Sequence, residues 1–532
     1  MKKILLVSAL ILLSVSYVHA GSVDTFGIGS KATALGGAYS AYANDPFAVY
    51  YNPAGLSQIE GKVIAGGVHM LDPSLTIDDM RVSNTDDPMI KGPNSFSDES
   101  PNLFAPHLGY AMPINDKVSF GIAAYAPWGL ELEWEEDPAK SPGAFAYTHS
   151  WYMREAITPT ISYKINDKLF IGFGVSVGMS KAGAEKKQYL TPDVGKSSLL
   201  APALKDGATY QAAQSIAAVE AANQAAGGVV PTITTSTAAY NFLSAYAPGM
   251  TAEVAAFQQL ADAGLETPEQ IGTAQAAGYD GVPATDHGKN LELDLQDDIN
   301  YSFNIGVMYK PKDTLTLGLT YRSRTDADFE GDVKLGGVKV AEAQLDYDHP
   351  DQIQLGARYV PESNQNISVE VDFVWTNWSI NDKQYETLSN PVTIQVIPGN
   401  PAADVVKTDI LSDRKWEDTT QVRVGVEWKA SDFLTLRGGF FYDPTPIPDD
   451  TLDLQWPDAD KKIYTLGCGL NFEKFTVDGV LQYCDIEKAR YLGGESDNFN
   501  HGFDPSGAYE RKVSASADGN IWGAGLTVSY AF

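Results

Sequence analysis

Strict two-residue alternation, repeated along the chain in runs of about 10 to 13 residues, limits this sequence to β-structure with two unlike faces. In the clearest run, Leu315, Leu317, Leu319 and Tyr321 share one face, and Thr314, Thr316, Gly318, Thr320 and Arg322 share the other. Val422, Val424, Val426 and Trp428 oppose Gln421, Arg423, Gly425 and Glu427 in the same way. At the C-terminus Trp522, Ala524, Leu526, Val528, Tyr530 and Phe532 oppose Gly523, Gly525, Thr527, Ser529 and Ala531. A soluble sandwich also alternates, but with shorter strands. Connections here alternate between short ones, such as Ile114-Asn115-Asp116, Ile165-Asn166-Asp167 and Ala430-Ser431-Asp432, and long ones, and the last strand ends in an aromatic residue. Both features belong to barrels that cross a membrane.

Strands are predicted near 62–71, 103–113, 117–127, 151–164, 168–180, 298–310, 314–325, 349–360, 366–379, 416–429, 432–443, 461–472, 474–486 and 518–532. The expected fold class is therefore all-β, a 14-stranded antiparallel transmembrane β-barrel over residues 61–532. An even count returns both chain ends to the periplasmic side. Tyr163, Tyr309, Tyr359, Trp375 and Trp428 fall near strand ends and read as interfacial girdles.

Lys2 and Lys3 precede an apolar run from Ile4 to Val15 and the small-residue site Val18-His19-Ala20, so residues 1–20 read as a secretory signal. That run is too short to span a bilayer as a helix, which takes about 20 residues. Without the two signal lysines, 36 of the 38 basic residues remain against 68 acidic ones, a formal charge of −32. Such a balance argues against nucleic acid as a partner. Asp294, Asp297 and Asp298, and Asp326, Asp328, Glu330 and Asp332, cluster in expected loops. They read either as a solvated face or as sites where divalent cations bridge to lipid phosphates.

Residues 28–56, within an N-terminal segment spanning 21–60, are apolar and glycine-rich yet carry neither helical nor strand periodicity. Gly36, Gly37 and Gly55 permit positive φ, and Asn52-Pro53-Ala54-Gly55 predicts a tight turn. Such a segment cannot bury its own side chains, and a barrel lumen is what it could fill. It is expected to be a hatch. The connection 181–297 is too long for a simple loop; Ala208–Ala226 and Thr251–Ala263 predict helices. It reads as a partly helical extracellular cap; the alternative is a separate small domain, against which stands the small number of large apolar residues for a core of its own.

No nucleophile, phosphate or metal motif stands out, no cofactor is called for, and the chain does not read as an enzyme. Alternation points Arg154, Arg322, Arg358, Glu370, Asp372, Arg423, Glu427, Arg437 and Asp478 into the lumen. Most would pair across the interior; Arg154, Arg322 and Arg437 are the candidates for greeting an anionic headgroup. Cys468 should face lipid and Cys484 the lumen, as two free thiols. The third strand carries Ala124-Tyr125-Ala126-Pro127-Trp128-Gly129, where Pro127 removes a ladder donor. Either the strand ends there or a bulge leaves a gap in the wall.

The stretches ALGGAYSAYANDPFAVYYNPAGL, YAPWGLELEW, TPTISYKINDKLFIGFGV, LGLTYRSRTDADFEGD, HPDQIQLGARY, VDFVWTNWS, LTLRGGFFYDPTPIPDD and the ending VSYAF, in this order and spacing, resemble the long-chain fatty acid transporter family of outer membrane proteins. The resemblance implies passive uptake of long-chain fatty acids or similar hydrophobic molecules through a Gram-negative outer membrane. Ligand would pass a lumenal pocket beside the hatch, with its motif at Asn52, Pro53, Ala54 and Gly55, and leave sideways at the kink Ala124–Gly129. The expected partners are a hydrophobic small molecule and outer-membrane lipid and lipopolysaccharide, around a monomer. Two alternatives are uptake of aromatic or alkane hydrocarbons by the same route, and a non-transport scaffold for a secretion or surface-attachment partner.

Overall fold

The structure, a computed structural model, describes residues 21–24, 27–85, 87–190, 200–277, 287–394, 405–408, 410–504 and 510–532. The signal segment 1–20 lies outside the described residues. The barrel strands are β1 (Val63–Val82), β2 (Leu103–Pro113), β3 (Val118–Glu133), β4 (His149–Asn166), β5 (Leu169–Lys187), β6 (Asn290–Lys312) and β7 (Leu315–Arg322). They continue as β8 (Gln352–Tyr359), β9 (Ile367–Thr376), β10 (Thr419–Lys429), β11 (Leu434–Asp443), β12 (Lys461–Asn471), β13 (Phe475–Gly493) and β14 (Val513–Ala531). Consecutive barrel strands pair antiparallel, and β1 pairs with β14 from Val63–Ala531 to Val82–Val513, closing the cylinder. The fourteen expected strands are all present.

Alternation sorts the side chains as the two solvents demand. Ile161, Phe173, Ile305, Leu319, Leu355, Leu466 and Leu481 face outward and exposed, while Thr160, Ser162, Thr320, Gln354 and Thr465 face inward and are buried. Among the described residues, no helix is long and apolar enough to cross a membrane. Cys484 is buried, Cys468 is half-buried, and both thiols are free.

β5 and β6 run for 19 and 23 residues, against the roughly 9–11 that span a bilayer. The surplus extends the wall on the side of the long loops. A hairpin, Asp328–Leu335 with Val338–Asp346, pairs with the extension of β6, and the strands Lys383–Leu388 and Ile410–Asp413 follow it. Asp294, Asp328, Glu330 and Asp332 therefore sit on strands, not in loops.

The excursion after β5 is shorter than expected, because β5 continues to Lys187 and β6 resumes at Asn290. Tyr189–His287, with Thr393–Val406, forms a second compact unit. It holds α1 (Leu200–Ala225), α2 (Ser236–Tyr246), α3 (Thr251–Asp262) and α4 (Pro268–Ala277). Few as its large apolar residues are, it has its own core, formed by Ile216, Val219, Ile233, Phe242, Leu243 and Phe257. These side chains are spaced to converge, and the alanines between them let the helices approach.

Candidate functional site

The N-terminal segment is a chain of short turns packed against inward-facing residues of the barrel strands. Helices Ser30–Ala34 and Ala48–Tyr51 lead into a 3-10 helix, Pro53–Gln58. Asn52 caps that helix: its Oδ1 accepts from Ala54 N at 3.1 Å, and its Nδ2 donates to Ser40 O at 2.7 Å and to Val307 O on β6 at 3.1 Å. The predicted tight turn is thus the first turn of a 3-10 helix. Gly36 and Gly37 have φ of 64° and 72°, as expected. Gly55 is needed for space instead, since a Cβ there would lie 2.0 Å from Ala43 O.

The wall makes room for this segment by omitting side chains. A Cβ on Gly172 would lie 2.3 Å from the Pro53 backbone, on Gly306 2.1 Å from Asn52, on Gly318 2.3 Å from Ser40 O, and on Gly439 2.1 Å from Gly36 N. Two buried carboxylates then fasten it. Asp372 Oδ2 accepts from Tyr39 N and Ser40 N at 3.2 and 3.0 Å, and Glu370 Oε1 accepts from Ala41 N at 2.6 Å. Burying these acids costs solvation, which backbone donors offset.

β3 does not end at Pro127. It continues to Glu133 through a register shift between Tyr125 and Trp128 in its pairing with β4. On its other edge the ladder with β2 stops at Leu108–Ala124; Trp128, Gly129 and Leu130 pair instead with the short strand Gly21–Asp24. Tyr125 meets Tyr50 of the N-terminal segment edge-on at 5.4 Å, and its hydroxyl lies 2.9 Å from Thr158 Oγ1. Trp128 stacks on His349, whose ring nitrogens meet the Tyr152 hydroxyl and Ser180 Oγ, the latter at 2.8 Å.

Above the bulge, the inner face of the strand extension lines a cavity of 380 Å³. Its apolar lining includes Leu293, Leu295, Leu345, Tyr347, Trp456 and Phe499. Lys186, Lys407, Arg414, Glu386 and Asp453 add charge. Arg414 is committed to Asp453 at 2.7 Å and to Gln384 and Gln455, also at 2.7 Å. Burial and the neighbouring Lys186 push the Lys407 ammonium down to about 7, against the pull of Glu386.

The three arginines singled out from alternation do point inward, but none lines this cavity. Arg437 is held between Glu427 at 2.9 Å and Asp478 at 2.6 Å. Arg322 donates to Gln352, Gln354 and Tyr50 O and lies over the Tyr50 ring; Arg154 donates to Asn300 and Ser302. Lys186 and Lys407 escaped sequence reasoning because both lie in what read as loops. Continued alternation from β5 through Ala182, Ala184 and Lys186 would have placed the first of them.

Residues 12–532 match the family described as outer membrane protein transport protein (OMPP1/FadL/TodX). The long-chain fatty acid transport protein of Escherichia coli O6:H1 is 21% identical over 94% of this chain and 93% of its own length. Outer membrane protein P1 of Haemophilus influenzae is 22% identical over 74% and 68%. Among solved structures, a Pseudomonas aeruginosa FadL homologue superposes with a TM-score of 0.64 at 17% identity, covering 97% of this chain and 100% of that one. The Ralstonia pickettii toluene transporter TbuX gives 0.55 at 15% identity, over 95% and 98%. With its closed fourteen-stranded wall and a family match over almost its whole length, this chain belongs to the OMPP1/FadL/TodX family of outer membrane transport proteins.

Proposed function

We propose that this protein takes up long-chain fatty acids, or amphiphiles of the same form, through the outer membrane of a Gram-negative cell. The observation that carries the reading is the 380 Å³ cavity, with its leucine and aromatic lining beside Lys186 and Lys407. An apolar tail gains about 0.8 kcal/mol per buried methylene, and the ammonium groups favour an acid over a neutral hydrocarbon. From the cavity the ligand passes the N-terminal segment, which acts as a hatch with Asn52-Pro53-Ala54-Gly55 at its pivot. It leaves sideways where the β2–β3 ladder stops, on displacement of Gly21–Asp24 from Trp128–Leu130. A lateral exit keeps the tail out of water throughout.

The test is uptake of labelled oleate by a transporter-deficient Gram-negative host expressing this chain. Its comparison is a variant whose Pro127-Trp128-Gly129 is replaced by regular strand residues, with folding and surface localisation checked for both. Uptake by the wild type that falls at least tenfold in the variant supports the acid substrate and the lateral route. Wild-type uptake of toluene but not of oleate would overturn the acid substrate. Equal oleate uptake by both barrels would overturn the lateral route.

A further inference from the structure

On the outer face of the strand extension, a row of charged residues crosses five strands in register. Glu133 on β3 stands opposite His149 on β4, His149 opposite Glu185 on β5, Glu185 opposite Glu292 on β6, and Glu292 opposite Lys334 of the hairpin. Glu131, two residues before Glu133, falls on the same face. His149 Nε2 lies 2.8 Å from Glu131 Oε1 and 3.9 Å from Glu133 Oε1, and its Nδ1 lies 4.0 Å from Glu185 Oε1. The ligand atoms of Glu131, Glu133 and His149 all sit within 4.8 Å of one another. Glu131 is only 4% exposed.

We propose that Glu131, Glu133 and His149 bind a divalent transition-metal cation of the zinc class, with Glu185 orienting the imidazole through Nδ1. A row of carboxylates alone would hold counter-ions loosely. Here an imidazole has two carboxylates at one nitrogen and a third at the other, and one of the first two is buried. Nearby lysines answer other acids: Lys187 pairs with Glu136 at 3.4 Å, and Lys334 with Glu292 at 2.5 Å. Bonds of about 2.0–2.1 Å put tetrahedral ligand atoms about 3.3 Å apart. The 2.8 Å contact must therefore open by about 0.5 Å and the 3.9 Å contact close by about 0.6 Å, which side-chain torsions supply. The cation takes the place of the contact between His149 Nε2 and Glu131 Oε1. A nitrogen donor selects zinc, cobalt or nickel over calcium and magnesium, which take oxygen. A carboxylate on the far nitrogen of a metal-bound histidine fixes its tautomer, a contact that Glu185 Oε1, 4.0 Å from Nδ1, makes by closing about 1 Å. The bound ion ties β3, just above its bulge, to β4.

The experiment uses the full-length barrel, tag removed and stripped with chelator, titrated with zinc in detergent by calorimetry. One zinc per chain is expected at micromolar affinity, with no competition from millimolar calcium. His149→Ala and Glu131→Gln should each weaken binding at least tenfold, and Glu185→Gln about tenfold, while Glu330→Gln leaves it unchanged. Cobalt bound to the wild type should show the intense visible bands of a tetrahedral site, which tests the ligand set even where a variant fails to fold. Absence of saturable binding, displacement of zinc by calcium, or unaltered affinity in folded His149→Ala would overturn the proposal.

Discussion

Lys407 gives the proposed cavity a proton switch near neutrality. Its folded pKa, about 7, lies below that of a free lysine, so the ammonium is present below that pH and is lost as pH rises through it. The groups around it are Lys186, which repels the charge, and Glu386, which favours it; the His501 imidazole is itself held below its ordinary range by burial and by the two lysines, and Arg414 and Asp453 also line the cavity, paired with each other. An alkyl sulfonate, ionised at every pH tested, should bind the purified barrel several-fold more weakly at pH 8.5 than at pH 6. A long-chain alcohol should show no such change, and Lys407→Met should flatten the profile. Titration by tryptophan fluorescence checks all three. At this scale the sequence was a partial guide. Alternation placed Arg154, Arg322 and Arg437 inside, but which arginine is already satisfied depends on neighbours such as Glu427 and Asp478, which only the strand register brings together. His149 reads as isolated for the same reason: its partners Glu131 and Glu133 reach it through a register reset by the bulge at Tyr125–Trp128.

Elements, by contrast, were largely legible, because lipid outside and polar groups inside enforce a two-residue period that propensity alone would not. What that reasoning missed was the surplus length of β5 and β6 and the hairpin beyond them. Gly336-Gly337, with φ of 59° and 78°, is the two-glycine turn that would have revealed the hairpin between Leu335 and Val338. The fit between wall and N-terminal segment could not be read at all, since an inward glycine looks the same whether it faces water or backbone. Its role has a direct test. Gly306→Val puts carbon where Asn52 and Pro53 lie, 2.1 and 2.6 Å from a Cβ, so the barrel should form while Pro53–Gln58 is displaced. Cells carrying it should become several-fold more sensitive to large hydrophilic antibiotics; unchanged sensitivity would mean that the segment does not seal the lumen.

At the scale of the molecule, the chain divides into a barrel and an inserted helical unit with a core of its own. The insertion leaves and rejoins the barrel at adjacent points: Gly288 N donates to Gln188 O at 2.9 Å and Gln188 N to Lys289 O at 2.8 Å. Closing a short loop there costs little. Replacing residues 190–286 by a short glycine-serine linker should leave heat-modifiable barrel migration intact while removing the helical circular dichroism signal. Loss of the folded barrel would show that the two units fold as one.

The interrupted β2–β3 ladder also has a mechanical meaning. A closed sheet resists inward pressure as a hoop does, each strand laced to the next by a continuous row of hydrogen bonds, and its stiffness is set by its weakest seam. Here one seam is laced only as far as Leu108–Ala124, and above that point a four-residue strand stands in for the missing neighbour. If the ligand leaves by this seam as proposed, lateral stress from the surrounding leaflet would concentrate there, and the packing of the outer-membrane lipid, as much as any ligand, would set how readily the wall yields.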